Sequence, residues 1–113
     1  MKMIDTIIKP FQLDAIKEAL CGLGFQGMTI TEVKVPGEQV RQTGRLKRAD
    51  YPMELMPKLK IEIILSDSAV EKALEIINKS INKNSASNDN IFISHIEDAV
   101  RIRTGEKGED AIT

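Results

Sequence analysis

Lys58-Leu59-Lys60-Ile61-Glu62-Ile63-Ile64-Leu65, followed at once by Ser66-Asp67-Ser68, is the stretch that decides the fold. Side chains alternate across an extended chain, so Ile61, Ile63 and Leu65 share one face. Ser66-Asp67-Ser68 then breaks the run and opens a helix. Ser68 and Glu71 have the spacing of a capping box, and Val70, Leu74, Ile77 and Ile81 recur as an apolar stripe. A strand therefore passes directly into an amphipathic helix. Ile64, on the other face of that strand, shows that the sheet carries apolar residues on both sides.

Outward from this junction the pattern repeats. Met3 to Ile8 reads as a strand closed by Lys9-Pro10, and Leu13, Ile16, Leu20 and Leu23 recur at helical spacing until Gly22 and Gly24 end the helix. Met28 to Val35 reads as a second strand, rich in Thr, Val and Ile, and Ile91 to Ile96 as a fourth. The order strand-helix-strand, strand-helix-strand predicts an α+β, ferredoxin-like βαββαβ sheet with both helices on one face. Something must then cover the other face, and self-association does so most economically. Two segments interrupt the pattern. Pro36 to Pro57 is long for a connection between adjacent strands, which points to function or disorder, and its middle is basic. Lys83 to Asn90 is small, polar and turn-like.

Bulk properties narrow the class. A chain of 113 residues is a single domain spanning 1–113. Sixteen basic and seventeen acidic side chains give a formal charge of -1, with no global pull toward nucleic acid or anionic lipid. Aromatics are scarce and tryptophan is absent, which argues against a base-stacking platform. One cysteine, Cys21, cannot pair internally and fits a reducing compartment. No signal-peptide pattern and no apolar run of spanning length is present, so a cytoplasmic protein without direct membrane insertion is expected. Cys21 itself, between apolar helix positions, is read as buried.

Beyond the fourth strand comes Arg101-Ile102-Arg103-Thr104-Gly105-Glu106. In extended chain the two arginines point to the same side, ahead of a glycine turn, an arrangement suited to an anion such as phosphate. Taken with Ile7-Ile8-Lys9-Pro10-Phe11, with Gly27 to Lys34 and with Leu55 to Ile63, this motif makes the chain resemble the PII nitrogen-signalling proteins over nearly its full length. The resemblance implies a homotrimer with three sheets packed around a central axis. It implies a regulator rather than an enzyme, and no Ser-His-Asp, paired-carboxylate or Cys-His constellation contradicts that.

The resemblance also implies a nucleotide, ATP or ADP with AMP as a further candidate, in a cleft between subunits. The residues it assigns are Ile7, Thr29, Gly37, Ile64, Asn88, Asn90, Arg101 and Arg103. Here the sequence departs from the family. The loop before the last core strand, usually rich in glycine and lysine, is Lys83 to Asn90 with no glycine, and Asn90 replaces a phosphate-binding lysine. Side chains in place of glycine hinder close backbone approach to phosphates, so weakened ATP affinity, or a shift toward ADP or AMP, is expected.

For the family's second ligand, 2-oxoglutarate held with magnesium, Gln39 and Lys58 match the residues that contact it. Arg41 and Glu38 depart from the family pattern, and Val35-Pro36-Gly37 replaces Gly-Phe-Gly. Tyr51 matches a position that many members have uridylylated, although Pro52 restricts it to extended conformations; the alternative is an aromatic used for partner contact. Lys47 matches the loop-tip arginine with which relatives plug ammonium transporters, and Arg48 adjoins it. Partners of this class, an ammonium transporter or a nitrogen-metabolism enzyme or regulator, are therefore implied, through an effector loop at 36–57. The alternative is a ligand-independent trimeric interaction protein with a vestigial nucleotide cleft. His95 is read as a packed or interface residue, because metal sites need clustered ligands and no dedicated metal centre is expected.

Overall fold

The computed structural model describes residues 1–23, 27–36, 54–81 and 90–113. Its elements are β1 (Lys2–Ile8), a 3-10 turn (Pro10–Gln12), α1 (Leu13–Cys21), β2 (Thr29–Pro36), β3 (Leu55–Leu65), α2 (Asp67–Ser80), β4 (Ile91–His95) and a second 3-10 turn (Gly108–Ala111). The strands form one four-stranded sheet in the order β2-β3-β1-β4, and every neighbouring pair is antiparallel. This is the ferredoxin-like arrangement expected from the alternation of elements.

The core lies between one face of the sheet and the two helices. Ile4 and Ile8 of β1 and Ile61, Ile63 and Leu65 of β3 meet Ile16 and Leu20 of α1 and Val70, Ala73 and Ile77 of α2. Leu74 and Ile81, expected on the α2 stripe, are half-buried at its margin. Ala73 is the addition: a small residue lets the two helices approach each other. At the end of β1, Pro10 starts a helical turn, where its missing N–H is no loss. Gln12 closes that turn reciprocally: its N–H donates to the Lys9 carbonyl at 3.0 Å and its Oε1 accepts the Lys9 N–H at 2.9 Å.

Several local expectations are corrected. The capping box at Ser68 and Glu71 does not form, because α2 begins earlier, at Asp67. Its N-cap is Ser66, whose hydroxyl lies 3.3 Å from that of Ser68 and caps no backbone N–H. An acid in the first turn suits the positive helix end, and the N-terminal ammonium sits 3.0 Å from the Asp67 carboxylate. Cys21 is exposed, not buried: Leu20 takes the inward position, and the next residue is turned about 100° around the helix axis. Gly22 caps α1 in ordinary right-handed backbone; Gly24 lies outside the described residues.

The long connection is shorter than Pro36 to Pro57. Pro36 pairs with Leu55, Val35 with Met56 and Lys34 with Pro57. β1 ends opposite Leu59, so at Pro57 β3 has a single neighbour and a residue without an N–H is tolerated. β4 stops at His95, and the Ile96 N–H donates to the Met1 carbonyl at 3.0 Å. The register opposes Ile93 to Ile4 and His95 to Lys2, which puts both on the helix side of an edge strand, and His95 is exposed there.

Among the described residues no helix lies on the second face of the sheet. Met3, Asp5 and Ile7 of β1, Lys60, Glu62 and Ile64 of β3, and Phe92 of β4 point there. Ile64 is 38% exposed and Phe92 62% exposed, and Lys60 reaches Asp5 at 3.6 Å.

Candidate functional site

A groove of about 330 Å³ opens at one end of this uncovered face. Its floor is Met3 of β1 with Glu62 and Ile64 of β3. Gly27 and Thr29, at the start of β2, form one wall; Arg101 and Ala111 to Thr113, from the chain's last segment, form the other. The ladder explains the grouping. Met3 lies opposite Ile64 and Thr29 opposite Glu62, so three neighbouring strands present these side chains at one level. A Cβ at Gly27 would meet nothing within 4 Å, so this wall of the groove is open.

The arginines do not lie in extended chain. Ile102 to Thr104 form a turn, framed by a bridge between Val100 and Lys107. The Gly105 N–H donates to the Arg101 carbonyl at 2.7 Å, and the Arg101 N–H donates to the Glu106 carbonyl at 2.8 Å. Gly105 takes φ +77° to close the turn, a backbone state that costs other residues about 1–2 kcal/mol. As a result Arg101 points back into the groove, while Arg103 is exposed on the turn. Among the described residues the Arg101 guanidinium has three acceptors: Glu106 Oε1 at 2.7 Å, the main-chain oxygen of Thr113 at 2.9 Å and the Ala111 carbonyl at 3.3 Å. The Thr104 hydroxyl holds the same Glu106 oxygen at 2.8 Å. Asp98 Oδ1 braces the base of the segment, accepting the N–H groups of Ala99 and Gly108.

Of the residues expected at a nucleotide, Thr29, Ile64 and Arg101 are therefore brought together. Ile7 and Asn90 are not with them. Ile7 pairs with Lys60, four residues from Ile64 along β3, roughly 13 Å at strand spacing. Asn90 stands beside Thr6, whose buried hydroxyl donates to its carbonyl at 2.9 Å and fixes where β4 begins. Gly37 and Asn88 lie outside the described residues.

Lys58 lines a second hollow, about 350 Å³, at the base of the β2–β3 hairpin with Pro10, Glu32, Lys34 and Pro57. Its expected companion Gln39 lies outside the described residues, as do Glu38, Arg41, Lys47, Arg48 and Tyr51. Among the described residues no cluster of three His, Cys, Asp or Glu side chains could hold a metal, and no helix is long and apolar enough to cross a membrane. Among the described residues the two carboxyls held below their ordinary range are both on α2, away from the groove. Asp67 is lowered by a hydrogen bond from the N-terminal ammonium, and Glu75 by one from Lys79 with help from the Lys72 charge.

Sequence reading passed over Met3, Glu62 and Ala111 to Thr113. Alternation along β3 was signal enough for Glu62, two residues before Ile64 on the same face. The tail has no such signal, because its 3-10 turn follows no apolar period.

The family model described as Nitrogen regulatory protein P-II matches residues 1–106. A relative from Mesorhizobium japonicum carrying that name is 49% identical over 99% of this chain and 100% of its own length. Relatives of the same name from Azospirillum brasilense and Haemophilus influenzae are 46% and 42% identical over the same shares.

Proposed function

The chain belongs to the P-II family of nitrogen regulatory proteins, and from that premise we propose that its groove is half of an adenine-nucleotide site completed by a second subunit. A nitrogen-signalling role follows from the family, whose members are regulators and not enzymes, acting on target proteins of nitrogen metabolism. The observation that carries the nucleotide reading is the convergence of Thr29, Ile64 and Arg101 on one groove. Apolar Ile64 and Met3 suit a base, the Thr29 hydroxyl can bond its edge, and a guanidinium suits phosphate. Ile7, Lys58 and Asn90 stand at the other end of the sheet, so one chain presents two separated groups of the expected residues. A homotrimer would bring the first group of one subunit against the second group of the next. It would also cover Ile64 and Phe92.

In this reading 2-oxoglutarate with magnesium binds near Lys58 and Gln39, the ligand state selects a conformation of the 37–54 connection, and that connection engages a target such as an ammonium transporter or a nitrogen-metabolism enzyme. Lys47, Arg48 and Tyr51 are the contact or modification residues. Only a ligand with different affinity for two states can switch them. The cytoplasm is the compartment where such ligands and targets meet.

Calorimetric titration of the protein with ATP, ADP and AMP, each with magnesium and with or without 2-oxoglutarate, tests this. Saturable binding is expected, with ADP or AMP favoured relative to ATP because the 83–90 loop lacks glycine. Arg101→Ala should weaken it by the value of a charge-assisted contact, about 1.5–3 kcal/mol. Absence of binding by all three nucleotides would overturn the reading in favour of a ligand-independent interaction protein, which the internally satisfied Arg101 guanidinium would then explain.

A further inference from the structure

We propose that the chain carries its own competitor for the anion site: Glu106 and the carbonyls of Ala111 and Thr113 occupy Arg101, and a phosphate-bearing ligand must release them. The inference rests on the nucleotide reading of the groove and adds to it a built-in regulation of affinity and a moving part.

Three observations carry it. First, Arg101 faces the groove, and both of its terminal nitrogens are engaged by this chain's own acceptors, one by a carboxylate and one by two carbonyls. Second, the residues that supply those carbonyls themselves line the groove, so the tail and a ligand would claim the same space as well as the same donor. Third, the tail is lightly held. Ile112 bonds only back to Glu109 at 3.1 Å, and among the described residues the contacts to Arg101 are the polar ties of Ala111 and Thr113 to the body of the protein. The Val100–Lys107 turn is braced separately through Asp98 and the Gly105 N–H, which do not involve the Arg101 guanidinium, so it can stay closed when the tail leaves.

Releasing Arg101 from its internal partners costs little, and that makes the exchange useful. Arg101 and Glu106 are both partly exposed, 34% and 43%, and ion pairs of that kind contribute little. A phosphate can displace the carboxylate without a large penalty, and the affinity is set by the difference. Ligand binding then frees the 109–113 segment for other contacts.

The test pairs titration with hydrogen exchange on the full-length protein. Glu106→Gln keeps the shape and the acceptor but removes the charge, and should tighten ATP or ADP binding about two- to fivefold, the range of an exposed ion pair. Glu109→Gln removes a nearby charge that does not touch Arg101 and should leave affinity unchanged. Saturating nucleotide should speed amide exchange in the 109–113 segment of the wild-type protein. If the wild type binds nucleotide and Glu106→Gln does not tighten it, or Glu109→Gln tightens it equally, or exchange in the tail is unchanged or slowed, the competitor is overturned while the nucleotide site stands. If neither the wild type nor Glu106→Gln binds nucleotide, both readings fall together.

Discussion

At the scale of single residues, Gly105 decides where Arg101 points. The sequence motif suggests two arginines side by side in extended chain, and the resemblance singles out Arg101, which lines the groove, but the turn that separates the two is legible only in hindsight from Thr104-Gly105. With φ at +77°, Gly105 permits the bond from its own N–H to the Arg101 carbonyl. Gly105→Ala should destabilise the turn by about 1 kcal/mol, read as roughly fivefold faster exchange at the amides of Arg101 and Gly105. Gly105→Asn should cost less, since asparagine tolerates positive φ better. Equal exchange in the alanine variant would mean the turn does not need that conformation. Thr29 and Ile64 were likewise legible by match to a family, whereas Glu106 and the tail carbonyls were not. Their role depends on contacts five to twelve residues from Arg101 in a stretch with no period.

At the scale of elements, alternation and helical spacing sufficed because each element has one strongly apolar face. β3 buries Ile61, Ile63 and Leu65, and α2 buries Val70, Ala73 and Ile77. What they could not supply were the ends. Ser66, Ser68 and Asp67 all favour a helix start, and only packing chooses among them; pairing beyond Lys58 extended β3 through a proline that a lone strand reading rejects. Ile77 is wholly buried between the helices and the sheet, so Ile77→Ala should cost about 2–5 kcal/mol through lost burial and a residual cavity, seen as a lower urea midpoint with an unchanged slope. The exposed side of α2 is set by charge instead. Lys79 donates to Glu75 at 3.2 Å, and this bond, with the Lys72 charge, holds the Glu75 carboxyl below its ordinary value of 4.5. A lowered folded value contributes stability that is present above the unfolded value and lost as pH falls through the folded one. The contribution therefore disappears in acid, below about pH 4.5, and is small at so exposed a site. Lys79→Ala should raise the Glu75 midpoint in an NMR titration, and an unmoved midpoint would assign the shift to Lys72 alone.

At the scale of the whole molecule, the two helices among the described residues lie on one side of a sheet that is apolar on two. That imbalance was visible in Ile64 from the outset, and the register now specifies it: Met3, Ile7, Ile64 and Phe92 share the uncovered face with the Lys60–Asp5 pair and Glu62. A patch of this kind is unusual for a monomer, and charged groups set among apolar ones fit an interface where the same patch meets itself around an axis. The trimer proposed here makes a sharp prediction at Ile64. In a single chain the side chain is 38% exposed, so Ile64→Asp should leave the secondary structure, read by far-ultraviolet circular dichroism, unchanged. In a trimer it would place three carboxylates in a buried interface with no cation assigned to them, a cost of several kcal/mol per group. Sedimentation equilibrium should then give a mass near three chains for the wild type and near one for the variant, and nucleotide binding should disappear with the second subunit. A wild type that sediments as a single chain would remove the need for an intersubunit cleft and leave Ile64 and Phe92 to be covered by a different partner. A variant that stays trimeric would move the contact away from the Ile64 end of the sheet, toward Ile7 and the β2–β3 hairpin.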